Sequence, residues 1–115
     1  MNIYTMKAIV IENEVLKIML IREYLENNVA TITVAKTMKE ALPLLESERF
    51  EYLFLDHHLP DCKGSELLSV IKGKHNEMKC VSISNDYIVE NSYKEMGYDD
   101  IFNYPFDKSV ERIFK

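Results

Sequence analysis

Short apolar runs alternate along the chain with segments whose apolar residues recur at helical spacing, and this alternation limits the possible folds more than any other feature. KAIVI, residues 7–11, is too short for a buried helix and the right length for a buried strand. Over 14–27, Leu16, Leu20, Ile21 and Leu25 recur at helical spacing, and Asn27-Asn28 ends that helix. ATITVA, 30–35, is β-branched and strand-like. Thr37 is placed to cap a second helix, with Glu40 completing a capping-box pattern. Met38, Ala41, Leu42 and Leu45 mark that helix's buried face, and Pro43 inside it predicts a bend.

YLFL, 52–55, is the third run and ends abruptly at Asp56. Pro60 stops regular structure, Gly64 helps the loop turn, and Leu67, Leu68 and Ile71 mark a third helix. KCVSIS, 79–84, reads as strand. Residues 86–96 then read as helix, with Val89, Tyr93 and Met96 inward and Gly97 at the C-terminal stop. A last short strand is expected over 100–104. Asp107 then caps a short helix carrying Val110, Ile113 and Phe114.

A β-α unit repeated five times implies one α/β domain over 1–115, with a parallel sheet and helices on both faces joined by right-handed crossovers. Strands buried on both faces read as continuous apolar runs, as these do. Sites in such open sheets form beyond the carboxyl ends of the strands. That rule selects Glu12-Asn13, Asp56-His57-His58, Ser84-Asn85 and Tyr104-Pro105. Glu12 and Asp56 together suit a hard cation such as Mg²⁺. A cation there offsets charge on a phosphoryl group carried by Asp56, and Ser84 can hydrogen-bond a phosphoryl oxygen.

Other classes are disfavoured. With 14 basic and 19 acidic side chains the net charge is −5, and the basic residues form only short, mixed stretches, so no nucleic-acid partner is expected. Cys62 and Cys80 form neither a CxxC pair nor a metal-finger spacing and read as reduced thiols. No run approaches the ~18 apolar residues of a membrane span. The N-terminus lacks the pattern of a signal peptide, so no membrane partner and a cytoplasmic location are expected. No nucleophile–base pair or glycine-rich phosphate loop is present, which argues against an enzyme with its own substrate.

LFLDHHLPDCKGSELL, 53–68, together with KAIVIENE, Ser84 and MGYDDIFNYPF, 96–106, resembles the receiver domain of the bacterial response-regulator (CheY-like) family of two-component signalling. The likeness runs from Lys7 to about Lys115. It implies a flavodoxin-like sheet of order 2-1-3-4-5, with Asp56 as phosphoacceptor and Ser84 as the switch hydroxyl. It also implies Mg²⁺ held by Glu12, Asn13, Asp56 and the backbone carbonyl of His58. The implied partners are a histidine kinase or phosphotransfer protein, and a downstream protein at the face of the fourth helix, fifth strand and fifth helix. A monomer or weak homodimer is expected.

The departures weaken that site. Asn13 stands where the family has a second carboxylate, which lowers the expected Mg²⁺ affinity. Tyr104 stands at the family's lysine position, and a phenol carries no positive charge near neutral pH. Ile101 stands where an aromatic switch residue is usual. The alternative is therefore a pseudo-receiver, a phosphorylation-independent interaction module. Asp56-x-His58 also resembles the D-x-H-x-x-G motif of cobalamin-binding domains, but Asp61 occupies the glycine position. A zinc site from His57, His58, Asp61 and Cys62 would need adjacent histidines that tend to point apart in an extended turn.

Overall fold

The computed structural model describes residues 6–74, 77–103, 106 and 110–114. The strands are β1 (Lys7–Ile11), β2 (Thr31–Ala35), β3 (Tyr52–Leu55), β4 (Lys79–Ser82) and β5 (Asp100–Ile101). They form one parallel sheet in the order β2-β1-β3-β4-β5, the order implied by the receiver resemblance. The helices are α1 (Val15–Leu25), α2 (Met38–Ser47), α3 (Gly64–Lys72), α4 (Tyr87–Ser92) and α5 (Val110–Ile113).

Alternating strand residues face opposite sides of a sheet, and here both sides are apolar. Ile9, Ile11, Leu53, Leu55 and Cys80 belong to one core with Leu45, Leu67, Leu68 and Val89 of the intervening helices. Ala8, Val10, Tyr52, Phe54 and Val81 belong to a second core with Ile21, Leu25, Phe102 and Ile113. Each fully buried Leu, Ile or Phe adds about 1.5–3 kcal/mol relative to exposure.

The elements are shorter than their periodicity suggests. α1 buries Ile18, Ile21 and Leu25, while Leu16 is exposed. α4 ends at Ser92, although Tyr93 and Met96 still pack against the core from the turns that follow. Gly97 makes the expected stop at φ +103°, a conformation that side chains with a β-carbon rarely adopt. Thr37 Oγ1 accepts the Glu40 N–H at 3.0 Å, but the Glu40 carboxylate accepts the N–H of Lys36, one residue before the box position. α2 continues through Pro43, which removes one intrahelical donor. His75, Tyr104, Pro105 and Asp107 lie outside the described residues.

Register positions the strand ends. Ile11 is opposite both Ala35 and Leu55, and Leu55 is opposite Ser82. The ladder extends one residue further: Glu12 N–H donates to Ala35 O at 3.0 Å and Asp56 N–H to Ile11 O at 3.0 Å. Ile83 N–H donates to Leu55 O at 3.1 Å. Glu12, Asp56 and Ser84 therefore emerge together at the carboxyl edge.

Candidate functional site

At that edge lies a cleft of about 430 Å³ whose lining includes Asn13, Lys17, Asp56, His58, Ser84 and Asp86. Asp56 follows β3 directly and is almost fully buried, and its Oδ1 accepts the His58 N–H at 3.2 Å. Glu12 is fully buried beside it. Its Oε2 accepts N–H bonds from Asn13 at 2.8 Å and Glu14 at 3.1 Å. Its Oε1 accepts no hydrogen bond among the described residues, while Lys17 Nζ stands 3.8 Å away.

Burial, and then the charge of Asp56, push the Glu12 carboxyl up to about 7. The N–H bonds from Glu14 and Asn13 and the Lys17 ammonium pull the other way. Near neutral pH this carboxyl is thus poised between its two protonation states.

Ser84 is buried two residues beyond β4, and its Oγ accepts the Asp86 N–H at 3.2 Å. Asp86 caps α4: Oδ1 accepts N–H bonds from Ile88 at 2.7 Å and Val89 at 3.4 Å. Its other oxygen accepts from His58 Nε2 at 2.6 Å, joining the loop after β3 to the start of α4. The His58 hydrogen bond, with the Ile88 N–H second, holds the Asp86 carboxyl below the usual range. The sequence directed attention to neither Asp86 as the partner of His58 nor Lys17. A lysine in the first turn of a helix that follows an acidic strand end was the available signal for the latter.

The transition-metal reading does not hold. Both Asp61 oxygens are taken by the Met38 and Lys39 N–H groups at the start of α2. The His57 and His58 rings are nearly perpendicular, at 85°. Burial, with Asp61 and Glu66 adding to it, pushes the Cys62 thiol up. Among the described residues no three His, Cys, Asp or Glu side chains converge as a metal group. A hard cation asks for less. Two carboxylates, with Glu12 Oε1 buried and short of a hydrogen bond, plus neutral oxygens and water, suit Mg²⁺.

A parallel sheet in this order, with a buried aspartate between an acidic strand end and a strand-end serine, defines a flavodoxin-like α/β domain with its polar site at the carboxyl edge. The family model described as the response regulator receiver domain matches residues 8–112, and the chain belongs to that family, which serves two-component signalling. It is 25% identical over 108 residues to stress response regulator protein 1 of Candida tropicalis, covering 90% of this chain and 40% of that relative's length. A CheY-like receiver domain protein from Methanospirillum hungatei superposes with a TM-score of 0.83 at 24% identity, covering 95% of this chain and 90% of the other. A response regulator from Burkholderia pseudomallei, solved with a phosphorylated aspartic acid, calcium ion and citrate, gives 0.78 at 21% identity, over 94% and 64% of the two chains. No helix among the described residues is long and apolar enough to cross a membrane.

Proposed function

We propose that the chain accepts a phosphoryl group on Asp56 from a histidine kinase or phosphotransfer protein and signals by altering its binding to another protein. The observation that carries this reading is that Asp56 and Ser84 line one cleft at the sheet edge, where the Glu12 carboxyl is also buried. An Asp56 carboxylate oxygen attacks the phosphorus of a phosphohistidine. The P–O bond of an acyl phosphate forms, the P–N bond breaks, and the imidazole leaves with the electron pair. Glu12, Asp56, Asn13 and the His58 backbone carbonyl are the residues that would hold Mg²⁺, which when bound neutralises phosphoryl charge.

Ser84 Oγ accepts the Asp86 N–H, which leaves the hydroxyl's own proton for a phosphoryl oxygen. Asp86 caps α4, so a shift of Ser84 toward the phosphoryl group is felt at that helix. Exposed Tyr87 and Ile88 on α4 fit an output partner on the α4-β5-α5 face. Exposed Val15, Leu16 and Met19 lie on α1, the helix whose Lys17 lines the cleft, and fit the phosphodonor. The free thiols Cys62 and Cys80 suit a reducing cytoplasm.

Incubation with a small-molecule phosphodonor and Mg²⁺, followed by intact-mass measurement, tests this reading. One phosphoryl adduct is expected, and Asp56→Asn removes it. The second reading, a phosphorylation-independent module, is favoured by Asn13 in place of a carboxylate and by the His58–Asp86 bridge across the cleft. It expects no adduct, and partner binding unchanged by Asp56→Asn.

A further inference from the structure

We propose that Lys17 is the resident cation of the cleft. Its ammonium stands at the one Glu12 oxygen open to a divalent ion, and it keeps divalent affinity low. This rests on reading Glu12 and Asp56 as the cation ligands. Glu12 is fully buried, and two backbone N–H groups already occupy its Oε2. Only Oε1 remains, and Lys17 Nζ is 3.8 Å from it and 3.8 Å from Glu14 Oε2.

The lysine is held there by its surroundings. Its side chain is only 17% exposed, unlike a freely solvated surface lysine. It also lies in the first turn of α1, where the helix dipole disfavours a positive charge and no acidic residue within that turn offsets it. The flanking carboxylates of Glu12 and Glu14 provide the attraction that the helix does not.

The consequence follows from charge. Hard-cation affinity rises with the negative charge of the ligand set. With Glu12 ionised, it and Asp56 offer two negative charges, and Lys17 cancels one of them. A divalent ion must either displace the ammonium from Oε1 or bind beside a like charge. Asn13 adds no negative charge to compensate.

Mn²⁺ titration monitored by electron paramagnetic resonance tests the proposal directly, without phosphorylation. The variants are Lys17→Met, Lys17→Gln and Lys17→Arg, with circular dichroism checking that each is folded. Met and Gln are expected to tighten Mn²⁺ binding at least tenfold, and Arg to leave it near the native value. Lys74→Met, which removes a charge paired with Glu46 elsewhere, is expected to change nothing. Adding Asp56→Asn to Lys17→Met is expected to abolish the gain. Equal or weaker binding by Lys17→Met, no measurable binding by any variant, an equal gain from Lys74→Met, or a gain that survives Asp56→Asn would each overturn it. A native chain that tightens as expected on Lys17→Met but gives no phosphoryl adduct would sink only the phosphoacceptor reading. An adduct with unchanged Mn²⁺ binding would sink only the role of Lys17.

Discussion

The Tyr98 hydroxyl, in the turn before β5, occupies the space where a β-carbon on Gly64 would stand. The same β-carbon would lie 2.9 Å from His57 Cα and 3.2 Å from the Asp56 carbonyl oxygen. Gly64 is therefore required by close approach, and not by a left-handed backbone conformation. The contact ties the loop carrying Asp56 to the turn between α4 and β5.

Gly64→Ala should destabilise the domain by roughly 1–3 kcal/mol, the usual cost of overpacking. Tyr98 is buried, and its hydroxyl has no hydrogen-bond partner among the described residues. Tyr98→Phe should therefore stabilise by about 1 kcal/mol. In urea unfolding, the cost of Gly64→Ala should shrink in the Tyr98→Phe background, because the two residues touch. An equal cost in both backgrounds would place the strain at His57 and Asp56 instead.

Glu12 gives the domain a pH dependence of definite sign. Its carboxyl rises from 4.5 to about 7 on folding, so between those values the folded chain holds a proton that the unfolded chain has lost. The contribution is complete below about 4.5 and is lost as pH rises through about 7. Glu12→Gln should remove this slope and raise stability at pH 8 by on the order of 1–3 kcal/mol, given about 1.4 kcal/mol per pKa unit. Urea midpoints at pH 5 and pH 8 measure both effects. A Glu12→Gln protein no more stable than native at pH 8 would contradict the cause assigned to the shift.

The fold was legible because its strands are buried on both faces. KAIVI and YLFL can sit only in the middle of a covered sheet, and they lie side by side in β1 and β3. The strand-end rule then brought Glu12, Asp56 and Ser84 to one edge. Periodicity failed where burial is one-sided and weak. Leu16 fits the helical spacing of α1 yet is exposed, because the inward stripe runs through Ile18 and Ile21. The partners within the site were not legible. His58 meets Asp86 from 28 positions away, and no local pattern encodes a pairing made only when two loops meet. Asp61 reads in the sequence as a variable loop residue, and its role was not legible there: its two oxygens serve the N-terminus of α2.

Arg112 anchors the short α5 to β5. Its Nη1 donates to both Asp100 carboxylate oxygens, at 2.7 and 2.8 Å, and Nη2 reaches the Ile101 carbonyl at 3.4 Å. Asp100 is buried, so losing the guanidinium leaves a desolvated carboxylate whose remaining partners among the described residues are the Ile101 N–H and a Lys79 ammonium 3.8 Å away. Arg112→Ala should cost roughly 1–3 kcal/mol, in the range of hydrogen bonds to charged groups. Arg112→Lys should recover only part, since an ammonium has no second nitrogen to reach the Ile101 carbonyl. Thermal unfolding of both variants checks the order, and full recovery by lysine would reduce the contact to simple charge.

The His58–Asp86 bond couples the loop after β3 to the start of α4. Asp86 lies below the usual carboxylate range chiefly through His58, with the Ile88 and Val89 N–H groups also contributing, so its stabilisation is present at neutral pH and is lost as pH falls through its folded value. The sign is opposite to that of Glu12. His58→Ala should move the Asp86 carboxyl back toward its ordinary value while leaving the cap on α4 in place. Asp86→Ala removes both functions, so the Ile88 and Val89 amides should exchange faster in that variant than in His58→Ala. Asp86→Asn should retain most of the amide protection, because its side-chain oxygen can still accept the two N–H groups. Carboxyl carbon titration by NMR and amide exchange separate these effects. If His58→Ala exposes the two amides as much as Asp86→Ala does, the histidine bond, and not the cap, holds the first turn of α4.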